Sequence, residues 1–276
     1  MLSKRIGILT FGAALALTAT QVRAADLTVP RPVVEEFSGW YLRGDIGFSN
    51  QRVGRLFNIN YNNFDSVTNI DKSFDSGPIF GVGVGYYVNN WLRFDVTGEY
   101  RGKTNFHGFD IGVNGGVGVA DDRYTASKSE WTFLFNGYVD LGTWYRITPF
   151  IGAGIGASRN TISNFGDISA CANTCAIGGS DAFAGSASKW NFAWALYAGL
   201  GYQLSPDVAL ELAYRYIDLG NARTGDLIAF DGTNNLNNPM EFHHLTSQDI
   251  RLGLRVNFGA LQGYPAPPPP PLHSRG

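Results

Sequence analysis

The stretch Asp249-Ile250-Arg251-Leu252-Gly253-Leu254-Arg255-Val256-Asn257-Phe258 alternates without a slip. Ile250, Leu252, Leu254, Val256 and Phe258 share one phase, and Asp249, Arg251, Arg255 and Asn257 share the other. Successive side chains of an extended chain point to opposite faces, so this segment reads as a strand with one oily face and one charged face. Seven segments upstream follow the same rule. In Gly39–Ser49, Trp40, Leu42, Ile46 and Phe48 oppose Tyr41, Arg43, Asp45 and Ser49. In Pro78–Val88, Phe80, Val82, Val84 and Tyr86 oppose Gly81, Gly83 and Gly85. In Trp91–Arg101, Leu92, Phe94, Val96 and Tyr100 oppose Arg93, Asp95, Thr97, Glu99 and Arg101. In Lys128–Leu141, Trp131, Phe133, Phe135 and Val139 oppose Glu130, Thr132, Asn136, Tyr138 and Asp140. In Ile147–Ser158, Ile147, Ile151, Ala153 and Ile155 oppose Phe150, Gly152, Gly154 and Gly156. In Trp190–Leu204, Phe192, Trp194, Leu196, Leu200 and Tyr202 oppose Asn191, Tyr197, Gly199 and Gly201. In Val208–Ile217, Leu210, Leu212, Tyr214 and Tyr216 oppose Glu211 and Arg215.

The connections alternate in length. Those at Asn89-Asn90, through Gly142, and at Ser205-Pro206-Asp207 are short turns, whereas residues 50–77, 102–127, 159–189 and 218–248 are long. The rhythm predicts an all-β fold: an eight-stranded antiparallel transmembrane β-barrel over residues 39–258, with short turns at the periplasmic end and four long extracellular loops.

Volume and charge decide which face looks inward. An eight-stranded barrel has room inside only for packed side chains, and the rings of the oily face would overfill it. The other face is rich in glycine on three of the segments, which leaves space for long charged side chains. Those inward charges are Arg43, Asp45, Arg93, Asp95, Glu99, Arg101, Glu130, Asp140, Glu211, Arg215, Asp249, Arg251 and Arg255, a near balance of signs expected to pair as a network. The oily face carries no charge within the segments, as lipid contact demands, since an Arg at the midplane costs roughly 2–4 kcal/mol. Trp40, Tyr86, Tyr100, Trp131, Tyr202, Tyr216 and Phe258 fall near segment ends, where interfacial aromatic girdles belong.

The bulk composition agrees. Only 16% of the 276 residues are charged, 14% are aromatic and 35 are glycine, while a net charge of -2 gives no basic surface for nucleic acid. Residues 1–24 read as a signal peptide: Lys4 and Arg5, an apolar run from Ile6 to Ala19, then Val22-Arg23-Ala24 before Ala25. Residues 25–38, with Pro30 and Pro32, form a periplasmic lead-in. Residues 259–276, with Pro265 and Pro267–Pro271, form a proline-rich periplasmic tail, a spacer or a polyproline II ligand for a periplasmic partner. Cys171 and Cys175 lie close enough in sequence for a disulfide in an exported protein.

The segment Gly39-Trp40-Tyr41-Leu42-Arg43-Gly44-Asp45-Ile46-Gly47 follows a proline-containing lead-in. Leu204-Ser205-Pro206-Asp207 leads into Leu210-Glu211-Leu212-Ala213-Tyr214-Arg215-Tyr216, and the chain's last strand is the stretch quoted first. Together these resemble the small outer-membrane β-barrel proteins of alphaproteobacteria, of the porin-family or surface-antigen type. The resemblance implies an outer-membrane location among lipid and lipopolysaccharide. It also implies that Phe258 ends the signal read by the barrel-assembly machinery, although here the chain continues past it.

For function, the reading favours a structural or surface-interaction scaffold whose loops meet an extracellular ligand. The alternative is a small-solute or ion pore. No enzyme is expected, since no nucleophile and base combine in the sequence. His107, His243, His244 and His273 fall in the expected loops or tail, and Asp231-Gly232-Thr233-Asn234-Asn235 reads as a turn. No metal or cofactor is expected.

Overall fold

The computed structural model describes residues 39–169, 181–234 and 236–258. The expected signal peptide, lead-in and tail, and Cys171 and Cys175, lie outside the described residues.

Eleven strands form one antiparallel sheet. They are β1 (Gly39–Phe57), β2 (Ser66–Phe74), β3 (Gly77–Tyr87), β4 (Leu92–Asn114), β5 (Val117–Asp140), β6 (Ile147–Ser169), β7 (Ala182–Ala184), β8 (Ala187–Ser205), β9 (Val208–Arg223), β10 (Leu227–Ala229) and β11 (Glu241–Asn257). The long strands pair in succession, β1 with β3, β3 with β4, β4 with β5, β5 with β6, β6 with β8, β8 with β9 and β9 with β11. β11 then returns to β1 over most of its length, from Tyr41 opposite Asn257 to Phe57 opposite Glu241. The chain end is tied in the same way, with Phe258 N–H donating to the Trp40 carbonyl at 2.8 Å. Closure gives backbone donors and acceptors along these strands a partner, which a hydrocarbon surrounding requires.

The circuit is staggered. Asp140 N–H donates to the Trp91 carbonyl. Partners then run Asp140, Phe150, Gly199, Ala213, Arg251, Gly47, Ile79 and back to β4 at Arg101, ten positions beyond Trp91. A fixed stagger of this kind accompanies strands tilted against the axis of a barrel.

The inside-out arrangement is explicit. Phe48 is 71% exposed and Phe192 66%, whereas Arg93, Arg101 and Arg215 are 0% exposed. The glycines of the inward face make room as expected, and rings fill part of that room. A side chain on Gly85 would start 2.2 Å from the Tyr41 ring, and one on Gly253 would start 2.4 Å from a carboxylate oxygen of Asp45.

Two expectations are corrected. Among the described residues the sheet has eleven strands where eight are expected: β2, β7 and β10 add to the eight of the circuit at the end remote from the short turns. The four long connections are also strand over much of their length: β1 reaches Phe57, β4 and β5 meet at Gly115-Gly116, β6 reaches Ser169, and β9 reaches Arg223. Gly115 and Gly116 have φ of 59° and 77°, the positive values a two-residue hairpin turn needs. His107 therefore lies on β4, and His243 and His244 on β11. The physical reason is a change of phase. Beyond the lipid-facing span the inward positions become apolar, with Val53, Phe106, Ile162, Leu219, Phe242 and Leu245 all buried. There the walls enclose an oily core, as a water-soluble barrel does.

Candidate functional site

The lumen holds the candidate site, and its side chains sort by level. Nearest the short turns, Arg93 on β4 reaches Asp140 on β5 (Nε to Oδ1 3.2 Å) and Glu211 on β9 (Nη2 to Oε1 3.0 Å). Its guanidinium lies over the rings of Tyr138 and Phe150, 4.3 and 4.9 Å from their centres. Arg255 pairs with Glu211 and lies over Tyr87. These rings and ions close the lower end.

In the middle, Arg43 forks onto Asp45, with Nε and Nη2 at 2.9 and 2.8 Å from its two oxygens. Its remaining terminal nitrogen donates to Asp95 at 2.9 Å and to the Tyr138 hydroxyl at 3.1 Å. Asn136 donates to the other oxygen of Asp95 and accepts from the Tyr197 hydroxyl. Arg251 joins Asp45 (3.1 Å) to Glu99 (2.6 Å). Higher still, Arg215 joins Glu99 to Asp249, and Arg101 joins Asp249 to Glu130, each at 2.7–2.8 Å. Lys128 ends the series on Glu130 and Gln51.

All thirteen charged residues expected in the lumen are buried there, and every one has an oppositely charged partner. With Lys128 they make one branched chain of seven cations and seven carboxylates in alternating sign. Sequence reasoning missed Lys128. It begins the fourth alternating segment in the inward phase of Glu130, so the phase alone could have found it. It also missed what lies above. Lys128 Nζ stands 5.5 Å from the centre of the Phe74 ring. Phe74, Phe106 and Phe242, from β2, β4 and β11, pack with centroids 5.0–6.3 Å apart. This oily layer covers the charged one.

Above the oily layer, outside the lipid-facing span, three carboxylates approach one another. Asp110 on β4 is opposite Asp122 on β5, and Asp167 on β6 is opposite Tyr124 on β5. Asp110 accepts from the Tyr61 and Tyr124 hydroxyls at 2.6 and 3.2 Å. Burial pushes Asp167 up to about 8, helped by the charges of Asp122, Asp110 and Asp181. Burial likewise pushes Asp110 up to about 6, against the lowering effect of its Tyr61 hydrogen bond. Elsewhere, His243 Nε2 lies 2.8 Å from Glu241, a pair within β11.

A closed antiparallel wall, oily outside and charged within, defines an outer-membrane β-barrel. Residues 12–258 match the model of the outer membrane protein beta-barrel domain, and the chain belongs to that family. Its location is the outer membrane. It is 33% identical to an uncharacterized protein of Brucella abortus (strain 2308), over 88% of this chain and 95% of that one. It is 29% identical to a candidate adhesin of Rickettsia bellii (strain RML369-C), over 79% of this chain and 88% of that one. Among solved structures, the outer membrane protein OprG from Pseudomonas aeruginosa matches with a TM-score of 0.45 and 15% identity, over 79% of this chain and 96% of that one.

Proposed function

We propose that the circuit of long strands is an eight-stranded transmembrane barrel that carries a rigid extracellular extension, and that this extension is a surface-interaction scaffold rather than the mouth of a pore. The observation that carries the reading is the filled lumen. Fourteen alternating charges occupy one length of the interior, and an oily layer of Phe74, Phe106 and Phe242 occupies the next. The lumen carboxylates are held by cations, which suits charge pairing rather than proton transfer.

The extension suits presentation. From Arg101 to Asn114, β4 rises thirteen residues. At about 3.3 Å per residue and a tilt near 45°, that lifts the tip roughly 30 Å beyond the charged layer. Phe183 on β7 and Phe230 directly after β10 are in edge-to-face contact at 5.6 Å, and both are exposed. A rigid scaffold with exposed rings at its tips is the form in which loops carry recognition. The adhesin relative is consistent with that role.

Recording from the purified protein in planar bilayers tests the reading. The expected result is no steady conductance. Reproducible conductance that changes in Arg93→Ala would replace the scaffold with a pore.

A further inference from the structure

Among the described residues, the outward face of the lipid-facing span is almost free of charge, and one exposed arginine stands there among rings. Arg159 on β6 has Trp131 of β5 and Trp190 of β8 as its two cross-strand neighbours. Phe133 stacks against both tryptophans, at 6.4 and 6.2 Å, and Tyr100 packs on Trp131 at 5.0 Å. Directly below lie the exposed side chains of Phe192 and Ile155.

One row higher the surface turns polar. Ser129, Thr161 and Ser188 are neighbours across β5, β6 and β8. The Thr161 and Ser188 hydroxyls are 2.9 Å apart. Lys103 is exposed and sits in the bulge of β4 opposite Ser129, between the pairs Arg101–Glu130 and Thr104–Lys128. Among the described residues neither Arg159 nor Lys103 has a carboxylate partner.

The height is that of a headgroup. From Ile147 to Arg159, β6 rises twelve residues. At about 3.3 Å per residue and a tilt near 45° this is roughly 28 Å, just past an apolar band about 25 Å tall. The short turns mark the periplasmic end, so Arg159 stands at the outer-leaflet margin. This orientation rests on the barrel reading above.

We propose that Arg159 and Lys103, with the hydroxyls of Ser129 and Thr161 between them and that of Ser188 beyond Thr161, bind the phosphate of an outer-leaflet phosphorylated glycolipid whose acyl chains lie on Phe133, Ile155 and Phe192. Charge complementarity selects a phosphate, because two unpaired cations lie on adjoining rows. Continuity selects a lipid over a free anion. The polar patch ends directly on an oily surface, and only a ligand with both parts covers the two together. The tryptophans beside Arg159 suit the boundary itself, with rings among acyl chains and indole N–H groups toward headgroups.

The test uses the full-length protein folded in phosphatidylcholine bilayer discs. Bis-phosphorylated lipid A, the same lipid with its phosphates removed, and inorganic phosphate are titrated separately, and bound lipid is read by native mass spectrometry. A juxtamembrane cation contributes about 1 kcal/mol toward anionic lipid. Arg159→Ala and Lys103→Ala are therefore each expected to weaken lipid A about fivefold, and both together about thirtyfold. Arg159→Lys should stay close to wild type. The dephosphorylated lipid should bind weakly and equally to all variants, and millimolar phosphate should leave bound lipid A in place. The assignment is overturned if the double variant binds lipid A as tightly as wild type, or if the dephosphorylated lipid binds equally well. Displacement by inorganic phosphate would overturn the lipid half and leave a soluble-anion site. Heat-dependent gel mobility monitors the barrel separately, so failure of the fold is distinguishable from failure of the site.

Discussion

Glu99 is the joint of the lumen network. Its Oε1 lies 2.6 Å from Arg251 and its Oε2 2.8 Å from Arg215. Replacing it with Gln cuts the alternating chain in two. The lower part keeps Arg43, Arg93, Arg251 and Arg255 against Asp45, Asp95, Asp140 and Glu211, so it stays neutral. The upper part keeps Arg101, Lys128 and Arg215 against Glu130 and Asp249, so one cation is uncompensated. These groups are almost wholly buried, and breaking a buried pair costs about 3–5 kcal/mol. Were the lumen filled with water, the same change would cost about 0–1 kcal/mol, as exposed pairs do. Glu99→Gln therefore separates a sealed lumen from a wet one. Lys128→Met removes the surplus charge, and Met can fill the place beside Phe74 that the Lys stem occupies. Glu99→Gln/Lys128→Met should then be more stable than the two single losses added together, by at least about 1 kcal/mol. Urea unfolding and refolding in phospholipid vesicles, followed by tryptophan fluorescence, gives all four corners of the cycle. A Glu99→Gln loss under about 1 kcal/mol, with additive singles, would refute the sealed network.

Three other outcomes follow from the same geometry. Asp167 is raised from its ordinary value near 4 to about 8, so its protonated form is the one the folded cap favours. Its contribution is complete below about pH 4 and is lost as pH rises through 8. Amide exchange of residues 108–126 and 163–169 should quicken from pH 5 to pH 8 beyond the chemical trend, and Asp167→Asn should remove the excess; faster opening at pH 5 would contradict this. Gly253→Val would drive a side chain into Asp45, which Arg43 and Arg251 hold in place. A loss of about 1–3 kcal/mol is expected in urea, and a wild-type midpoint would show that Asp45 is free to move. Phe106→Ala should cost about 3–5 kcal/mol by opening a cavity under Phe74 and Phe242. It should still produce no conductance, because the charged layer below remains whole; channel activity in this variant would place the seal in the rings alone.

Much of the wall was legible in the sequence because lipid imposes a strict rule. Within the lipid-facing span an outward position must be oily, so one phase of Trp91–Arg101 or Asp249–Phe258 stands out without help. The thirteen expected lumen residues came from the other phase. The extension was not legible by that rule, since its outward positions are polar: Asn50 and Arg52 on β1, Asn105 and His107 on β4, Gln248 on β11. A search for oily outward faces stops there and reports loops. Two signals were nevertheless present. Ile162 and Leu219 continue the inward phase of their segments, and Asn114-Gly115-Gly116-Val117 spells a two-residue hairpin turn; Phe106 and Phe242 fall in the outward phase of theirs and reach the interior only through the bulges between Arg101 and Thr104 and between Phe242 and Leu245. The approach of Asp110, Asp122 and Asp167 depends on pairings among β4, β5 and β6 beyond the expected strands. No local pattern gives it.

The two inversions share one cause. On β1 the inward series runs Arg43, Asp45, Ser49, Gln51 and then Val53, while the outward series runs Leu42, Ile46, Phe48 and then Asn50 and Arg52. On β9 the inward series passes from Glu211 and Arg215 to Ile217 and Leu219. Below the change, lipid surrounds the wall, so burying oily groups inside would gain nothing over leaving them outside, and the interior is held by paired ions instead. Above it, water surrounds the wall, and moving oily groups inward is favourable by about 25 cal/mol per Å². These strands therefore exchange their faces where their surroundings change; β1 does so in unbroken register with β11, while β4 passes the same level through the bulge that holds Lys103. The level of exchange is written in the chain, and it falls where Arg159 and Lys103 stand on the outward face and where Lys128 meets Phe74 on the inward one. A barrel built this way is anchored at a fixed depth. Sliding it toward its short turns would carry Arg159, Lys103 and Arg52 into acyl chains, and sliding it the other way would bring Phe48, Trp131 and Ile250 into water.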